Sequence, residues 1–257
     1  MDYEQFKKQV YRLTHIDLNS YKERQMKRRI DVLMQKNKFH GYDEYVHALK
    51  NDKNLYEEFV GFITINVSEF YRNPEQWRIL EEEILPDLLK KTNRRLNVWS
   101  AACSTGDEPY SLAMLLLDYI PKNNIRILAT DLDGKVLNKA QEGIYNFKSM
   151  SNLPSKYIDQ YFVKIDDKKY QIKNLIKECV RFEQHDLLED NYPKNFDLII
   201  CRNVVIYFTD EAKTKIYQKF NDSMNSDGIL FVGSTEQIVN YKELNYDSLK
   251  SFFYKKN

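Results

Sequence analysis

The sequence predicts an α/β protein in which a parallel β-sheet with helices on both faces follows a small helical domain. Beyond Leu96, short runs of β-branched and aromatic residues alternate with helical segments, which is the pattern of a parallel sheet. Before residue 75, apolar residues recur at helical spacing instead. In addition, small residues and two acids follow the first strand, which indicates a ligand-binding loop there.

The N-terminal part is predicted to be helical over about residues 1–75. One apolar stripe falls in a helix over 21–38, for which Asn19 or Ser20 is the expected N-cap, and a second stripe surrounds Tyr45. A third helix covers 55–65, and Pro74 disfavours helix at the residue before it. A linker helix over 76–94, with its helical pattern at 75–91, leads into the sheet domain at 95–257.

The sheet domain is predicted from five strands and the helices between them. The strands are expected at 96–100, 125–130, 180–183, 196–201 and 229–233, and the helices at 109–119, 135–142 and 210–224. The C-terminal tail, ending near Tyr254, adds one more strand. A polar interruption at about 145–179 is interpreted as an inserted hairpin.

Composition limits the class of protein. The 257 residues are 42% hydrophobic with a formal net charge of +1, which argues against a wholesale nucleic-acid binder. The three cysteines and four histidines have no metal-ligand spacing. No apolar run reaches the ~20 residues of a membrane span. We therefore expect a cytoplasmic monomer without a metal and without membrane insertion.

The loop after the first predicted strand indicates the kind of ligand. Residues 100–106 are small, so the backbone can approach a ligand closely, but the dinucleotide glycine pattern is absent. Asp107 and Glu108 occupy the place of a pyrophosphate and would repel one. They suit S-adenosylmethionine, which carries an ammonium and a sulfonium and no phosphate. Alternatively, the two acids only cap the following helix.

Polar residues at three other predicted strand ends favour the ligand interpretation. Asp131 ends the second strand, where an acid can accept both hydroxyls of a ribose. His185, Asp186 and Leu187 follow the third strand and are placed to flank an adenine. Arg202 and Asn203 leave an apolar strand at the edge where open α/β sheets bind ligands.

These motifs resemble one family. INVSEFYR, VWSAACSTGDEPYS, ILATDLD, HDLL and CRNVVIYF, in this order, are similar to the CheR-type chemotaxis receptor methyltransferases. The resemblance implies a class I S-adenosylmethionine-dependent, Rossmann-like methyltransferase domain with a small α-helical N-terminal domain and a small inserted β subdomain. It implies a protein-glutamate O-methyltransferase that modifies cytoplasmic helices of methyl-accepting receptors. The cofactor contacts that it implies are Asn66, Ser68, Arg72, Glu108, Asp131, Asp186, Leu187, Arg202 and Asn203. Many relatives have threonine in place of Ser68 and glutamate in place of Asp107.

Methyl transfer to a glutamate needs no general base, because a carboxylate with a pKa of ~4.3 is already ionised at neutral pH. Arg72 and Tyr207 are the candidate catalytic residues. Arg72 could orient the incoming carboxylate, and Tyr207 could place its ring or hydroxyl near the sulfonium methyl. Packing against Phe208 is the alternative role of Tyr207.

The helix over 21–38 carries seven basic and two acidic residues, a local net charge of +5. Lys27, Arg28 and Arg29 are predicted to dock the acidic receptor helix and so to recruit the enzyme to receptor clusters at the membrane. A solvated surface and a nucleic-acid site are the alternatives. For the whole chain, the rival functions are methylation of a small molecule or an RNA base, and a regulatory module that binds the cofactor without catalysis.

Overall fold

The structure is a computed structural model that describes residues 1–257. The chain forms two compact units: Met1–Asn66 with Val204–Lys215, and Val67–Asn203 with Ile216–Asn257. The sequence pattern predicts that the helical domain ends near residue 75. In the structure, residues 67–73 group with the sheet because Phe70 is fully buried there and the Tyr71 amide donates to Ser111 Oγ at 3.1 Å.

The helical unit contains four helices packed around aromatic side chains. They are α1 (Tyr3–Thr14), α2 (Glu23–Lys36), α3 (Tyr42–Asn51) and α4 (Lys53–Thr64). The ring of Phe59 lies edge-on to the rings of Phe6 and Tyr45, with centroids 6.4 and 5.8 Å apart. All three rings are fully buried, so the apolar stripes of α1, α3 and α4 share one core.

The N-cap predicted for α2 is wrong. Asn19 and Ser20 lie in a separate 3₁₀ turn, Leu18–Ser20, where Asp17 accepts the Asn19 amide at 3.0 Å. Helix α2 begins after Lys22, which makes no side-chain cap. The capping side chain in this region is the Asp17 carboxylate, two residues upstream of Asn19, and it caps the start of this separate short turn.

The second unit contains all ten strands of the chain in two sheets. The strands are β1 (Leu96–Ala101), β2 (Ile125–Asp131), β3 (Ile144–Asn146), β4 (Phe162–Lys164), β5 (Lys169–Ile172), β6 (Val180–Gln184), β7 (Phe196–Cys201), β8 (Met224–Val232), β9 (Tyr246–Lys250) and β10 (Phe253–Lys256). The large sheet has the order β6-β2-β1-β7-β8-β10-β9, and the small sheet has the order β3-β5-β4.

The five strands predicted from the sequence are confirmed and pair in parallel. Strand β1 lies between β2 and β7, with Ser100 level with Ala129 on one side and Ile200 on the other. The C-terminal tail adds two strands rather than one, since β9 and β10 pair antiparallel with each other and β10 pairs antiparallel with β8. The inserted region is a three-stranded antiparallel sheet rather than a hairpin.

The remaining helices include those predicted at 75–91, 109–119, 135–142 and 210–224, and two in the inserted region that were not predicted. The linker helix is made of α5 (Pro74–Ile79), a π-helical turn (Leu80–Ile84) and α6 (Leu85–Lys91). They are followed by α7 (Asp107–Leu117), α8 (Gly134–Glu142), α9 (Ser155–Tyr161), α10 (Asn174–Lys177) and α11 (Asp210–Ser223). Helix α7 is buried almost all round and contributes much of the main core of the second unit. None of the helices combines the length and apolar character that crossing a bilayer requires.

Candidate functional site

The carboxyl ends of β1, β2, β6 and β7 point to one edge of the large sheet, because these neighbours are parallel. The predicted ligand loops therefore leave the same edge. The loop after β1 is tight, with positive φ at Ala102 (62°), Ser104 (50°) and Gly106 (87°). A Cβ at Gly106 would lie 2.8 Å from the Ala140 side chain, so this position requires glycine.

Asp131 at the end of β2 supports this loop. Its Oδ2 accepts the Ser104 amide at 2.8 Å, and its Oδ1 accepts the Asp133 amide at 3.0 Å. Burial raises the pKa of Asp131 to about 6, although the two amide bonds favour the carboxylate. Asp133 is the N-cap of α8, and its side chain accepts the Lys135 amide at 2.8 Å.

The two acids at the start of α7 do not cap that helix. Gly106 is the N-cap, and no side chain makes the cap hydrogen bond. Asp107 is 1% exposed and accepts from Thr105 Oγ1 at 2.5 Å and from Ser68. Glu108 accepts from Ser100 Oγ at 2.8 Å and lies 3.5 Å from Arg202 Nη1. Asp107 therefore joins the Ser68 segment to the loop, while Glu108 faces the strand ends.

Arg202, immediately after β7, is the positive group of this edge. Its Nη2 donates to the Arg72 carbonyl at 2.8 Å, Asn73 Oδ1 at 3.0 Å and Gln76 Oε1 at 2.7 Å. The guanidinium also stacks 4.7 Å from the centroid of Phe231. Burial lowers the pKa of Arg202 and raises that of Glu108, and the attraction between the two opposes both shifts.

Several buried polar atoms around this edge have no protein partner. They are Ser104 Oγ, Gln76 Nε2, Arg202 Nε, Asn203 Oδ1 and His185 Nδ1. An unpaired buried polar atom costs about 1–3 kcal/mol, so a polar ligand that supplies partners would bind favourably. The set includes donors and acceptors beside two carboxylates and one arginine. It suits a ligand with hydroxyl, ammonium and carboxylate groups, which fits S-adenosylmethionine better than a phosphate ester.

The segment after β6 is arranged as a turn. Asp186 Oδ1 accepts the Leu188 amide at 2.7 Å, and burial raises the pKa of Asp186. Leu187 is buried, and its carbonyl accepts from Tyr192 Oη at 2.7 Å. The His185 ring packs edge-on to Trp99, with centroids 5.3 Å apart, and its burial lowers its pKa. His185 is thus anchored to the sheet by its ring.

Known proteins match the chain over almost its whole length. Residues 1–64 match the "CheR methyltransferase, all-alpha domain" and residues 66–252 the "CheR methyltransferase, SAM binding domain". The chain belongs to the CheR methyltransferase family. The chemotaxis protein methyltransferases of Listeria innocua serovar 6a and Listeria monocytogenes serovar 1/2a are 45% and 46% identical to it over 253 residues, which are 98% of this chain and 96% of each relative. That of Borreliella burgdorferi is 35% identical over 260 residues, 96% of this chain and 91% of the relative.

As a CheR family member, the chain is an S-adenosylmethionine-dependent methyltransferase with a class I, Rossmann-like sheet domain. Most of the predicted cofactor residues come together in its sheet unit. These are Ser68, Arg72, Glu108, Asp131, Asp186, Leu187, Arg202 and Asn203, whereas Asn66 belongs to the helical unit, as does the candidate catalytic residue Tyr207. Asn66 Nδ2 donates to Thr64 Oγ1 at 3.0 Å.

The two candidate catalytic residues of this CheR methyltransferase are anchored differently. Arg72 is half-buried, and its Nη1 donates to the Val67 carbonyl at 3.1 Å. Tyr207 ends the 3₁₀ turn Val205–Tyr207, and its carbonyl accepts the Lys22 amide at 2.9 Å. The aromatic contact with Tyr21 is made by Phe208. Tyr207 itself is half-buried, in contrast to the buried Phe208.

The basic face of α2 is smaller than the sequence suggested. Lys27 and Arg28 are exposed. Arg29 instead turns inward, where its Nη2 donates to the Phe62 carbonyl at 2.5 Å and its guanidinium lies 4.5 Å from the Phe62 ring centroid. Burial lowers the pKa of Arg29. Arg29 is therefore engaged within the helical unit.

Two residues of the strand-end site were not predicted from the sequence. Gln76 contributes an acceptor to Arg202, and nothing in its local pattern marks it. Glu236 accepts two backbone amides beside Asn203. A signal for Glu236 was present, since Ser234-Thr235-Glu236 directly follows the strand predicted at 229–233, at the same edge as the other site residues.

Proposed function

We propose that this methyltransferase transfers the methyl group of S-adenosylmethionine to specific glutamate side chains on the cytoplasmic helices of methyl-accepting chemotaxis receptors, as part of sensory adaptation. The observation that carries the proposal is the match of both the all-alpha and the SAM binding domain to the CheR family, together with relatives named chemotaxis protein methyltransferase along 98% of the chain. We further propose that the protein acts in the cytoplasm, at receptor clusters, and works as a monomer without a nucleic-acid partner.

The cofactor would be bound by the strand-end groups, and it supplies an electrophilic methyl group on a sulfonium. The Asp131 carboxylate suits the ribose hydroxyls, and Asp186 and Leu187 suit the adenine. Glu108, Arg202 and Asn203 suit the charged amino-acid part, because they offer a carboxylate, a guanidinium and the unpaired Asn203 Oδ1. Asn66 and Ser68 complete the proposed set.

The transfer itself needs alignment more than acid–base chemistry. An acceptor glutamate with an ordinary pKa of ~4.3 is ionised at neutral pH, so no residue has to remove a proton. Arg72 would orient that carboxylate, and Tyr207 would face the methyl group with its ring or hydroxyl. An arginine that bound the ground-state carboxylate tightly would slow the step, so the role of Arg72 is orientation.

The receptor helix would dock on the basic face of α2. Lys27 and Arg28 are exposed on that helix, and receptor segments rich in glutamate carry the opposite charge. Arg29 would support this face from within, through its bond to the Phe62 carbonyl.

The test is label transfer from S-adenosylmethionine with a radioactive methyl group to receptor-rich membranes. We expect base-labile label on receptor protein, as a glutamate methyl ester gives, and loss of label when the receptor glutamates are changed to alanine. Membranes without receptors and total RNA are the matched controls. Label on RNA or on a small molecule would contradict the proposal, and so would binding of the cofactor without transfer to any acceptor.

A further inference from the structure

Glu236 is a buried carboxylate whose hydrogen bonds end at the proposed cofactor site. It is 4% exposed and lies in the connection between β8 and β9. Its Oε2 accepts the Asn203 amide at 2.6 Å and the Gly233 amide at 2.8 Å. The Glu236 amide donates in turn to the Gly233 carbonyl at 2.9 Å. A single side-chain oxygen thus ties the end of β8 to the residue that follows Arg202.

Glycine at position 233 leaves open the space that the Glu236 carboxylate occupies. A Cβ at Gly233 would lie 2.4 Å from Glu236 Oε2 and 2.8 Å from the Asn203 amide nitrogen. A contact under 3 Å cannot be accommodated without displacement, so glycine at 233 is what allows the carboxylate to reach both amides. Glycine at this position and glutamate three residues later therefore form one structural unit.

The backbone of Asn203 is left-handed, with φ at 61°. Asparagine adopts this region more readily than other non-glycine residues, so a contact that holds its amide can select this conformation at modest cost. The Glu236 carboxylate provides a charge-assisted hydrogen bond to the Asn203 amide, and such bonds are stronger than neutral ones. The direction of the Asn203 side chain, whose Oδ1 is buried without a protein partner, follows from that backbone conformation.

The charge of Glu236 also acts on its neighbours. Glu236 opposes the burial that lowers the pKa of Arg202, and it adds to the burial that raises the pKa of Glu108. Arg202 therefore lies near two carboxylates, Glu236 at 4% exposure and Glu108 with its side chain at 14%, and near a second cation, Arg72. The Glu236 charge offsets positive charge that would otherwise disfavour a cationic ligand group next to Asn203.

We propose that Glu236 is a positioning residue for S-adenosylmethionine: its carboxylate fixes the backbone of Asn203 so that Asn203 Oδ1 can accept the ammonium group of the cofactor. The inference rests on the proposed contact between Asn203 and the cofactor. Glu236 would act on the cofactor only through Asn203. The matches to known proteins assign no role to Glu236.

The experiment measures the dissociation constant of S-adenosylmethionine by calorimetry on the full chain, together with kcat, KM and the thermal unfolding midpoint. Glu236→Ala is expected to raise the dissociation constant about tenfold, the worth of one hydrogen bond to a charged group, with kcat at saturating cofactor within about twofold. Glu236→Gln should fall between, since an amide oxygen still accepts the two amides but the charge is gone. Glu243→Gln, an exposed acid in the same connection, is the matched control.

A double-mutant cycle separates positioning from a merely structural role. Asn203→Gly keeps the left-handed backbone accessible and removes the side-chain oxygen. We expect Glu236→Ala to add nothing to the loss of affinity of Asn203→Gly, because both act through the same oxygen. Losses of cofactor affinity that add up in the double variant would overturn the inference. Unchanged affinity in a folded Glu236→Ala or Glu236→Gln variant would also overturn it. Wild-type affinity in Asn203→Gly would overturn it too, while the label-transfer assay would still test the proposed function on its own.

Discussion

The guanidinium of Arg202 is buried, at 7% exposure, and almost all of its partners are acceptors within the sheet unit. A charge in such a place is tolerated only when it is paired and hydrogen-bonded, since its desolvation is expensive. Glu108 supplies the opposite charge, and Gln76 and the Arg72 carbonyl supply oxygens. Arg202 thereby connects the start of the linker helix to the end of β7. A substitution of Arg202 is therefore expected to affect both elements.

We expect Arg202→Lys to destabilise the protein by about 3 kcal/mol, because lysine cannot reach the same set of acceptors and leaves Glu108 buried with a poorer partner. Urea unfolding followed by circular dichroism measures this free energy. Arg181→Lys on the exposed edge strand β6 is the control and should change stability little. A loss under about 1 kcal/mol for Arg202→Lys would show that the buried pair is not important for stability.

The raised pKa of Asp131 predicts that the affinity for the cofactor depends on pH. Its pKa in the folded protein is raised to about 6, and the acceptor role towards ribose hydroxyls requires the ionised form. Affinity for S-adenosylmethionine should therefore be constant above that pKa and fall as pH drops through it, by about tenfold per unit below it. Calorimetry from pH 5 to pH 8 measures the profile.

The matched variant is Asp131→Asn, which has no titrating group. It should bind more weakly at pH 8 and show a flatter profile towards pH 5, whereas Asp133→Asn should keep a titrating profile shifted to lower pH, because the charge of Asp133 contributes to the raised pKa of Asp131. A wild-type profile that is flat across this range would mean that the Asp131 carboxyl does not titrate there or does not contact the cofactor.

At the scale of elements, the segment after β7 is attached to the start of α2. The Thr209 amide donates to the Ser20 carbonyl at 2.9 Å, and Tyr21 forms an antiparallel bridge with Phe208. The rings of these two residues meet edge-on with centroids 4.9 Å apart. Tyr207 is therefore held within the helical unit, to which residues 204–215 belong.

Phe208→Ala is predicted to loosen this attachment and misplace Tyr207. The lost ring, 4% exposed, should cost about 3 kcal/mol of stability. It should also lower kcat more than it raises KM for the cofactor. Phe208→Leu, which fills more of the space, should recover most of the stability and kcat. Steady-state methylation kinetics on receptor membranes measure the effect. Unchanged kcat in a folded Phe208→Ala variant would contradict a catalytic position for Tyr207.

The elements that the sequence predicted well are those with strong local periodicity. Strands β1, β2, β7 and β8 and helices α7 and α11 carry apolar runs that a single window can reveal. The inserted sheet was underestimated because its strands are only three or four residues long. Gln76 could not be predicted as a site residue, since its role depends on Arg202, which is 126 residues away in the chain.

At the scale of the whole molecule, the chain passes between its two units after Asn66, Asn203 and Lys215. Periodicity marks where helices and strands begin, but it does not reveal that residues 204–215 pack with the helical unit. Consequently, sequence motifs identified the predicted cofactor residues, whereas only the structure showed which unit each of them belongs to. Of the two candidate catalytic residues, Tyr207 lies in the same unit as the basic helix α2, and Arg72 lies in the sheet unit.

The overall charge of +1 conceals a local charge of +5 over residues 21–38, and this asymmetry predicts how the acceptor binds. We expect the double reversal Lys27→Glu and Arg28→Glu to raise KM for receptor about tenfold, since each exposed charge contributes up to about 1 kcal/mol. The dissociation constant of S-adenosylmethionine should not change. Methylation kinetics at low and high salt measure the effect, and the wild-type KM should rise with salt more steeply than that of the variant.

The control for this reversal is Lys90→Glu with Arg95→Glu, which makes the same change in net charge at exposed positions of the sheet unit. If net charge alone attracted the receptor, both double variants would lose affinity equally. If the α2 face docks the receptor, only the variant with Lys27→Glu and Arg28→Glu will lose affinity. Equal KM values for wild type and the α2 variant at low salt would exclude this face, because charges within a Debye length of ~10 Å cannot be reversed without effect on an acidic partner bound there.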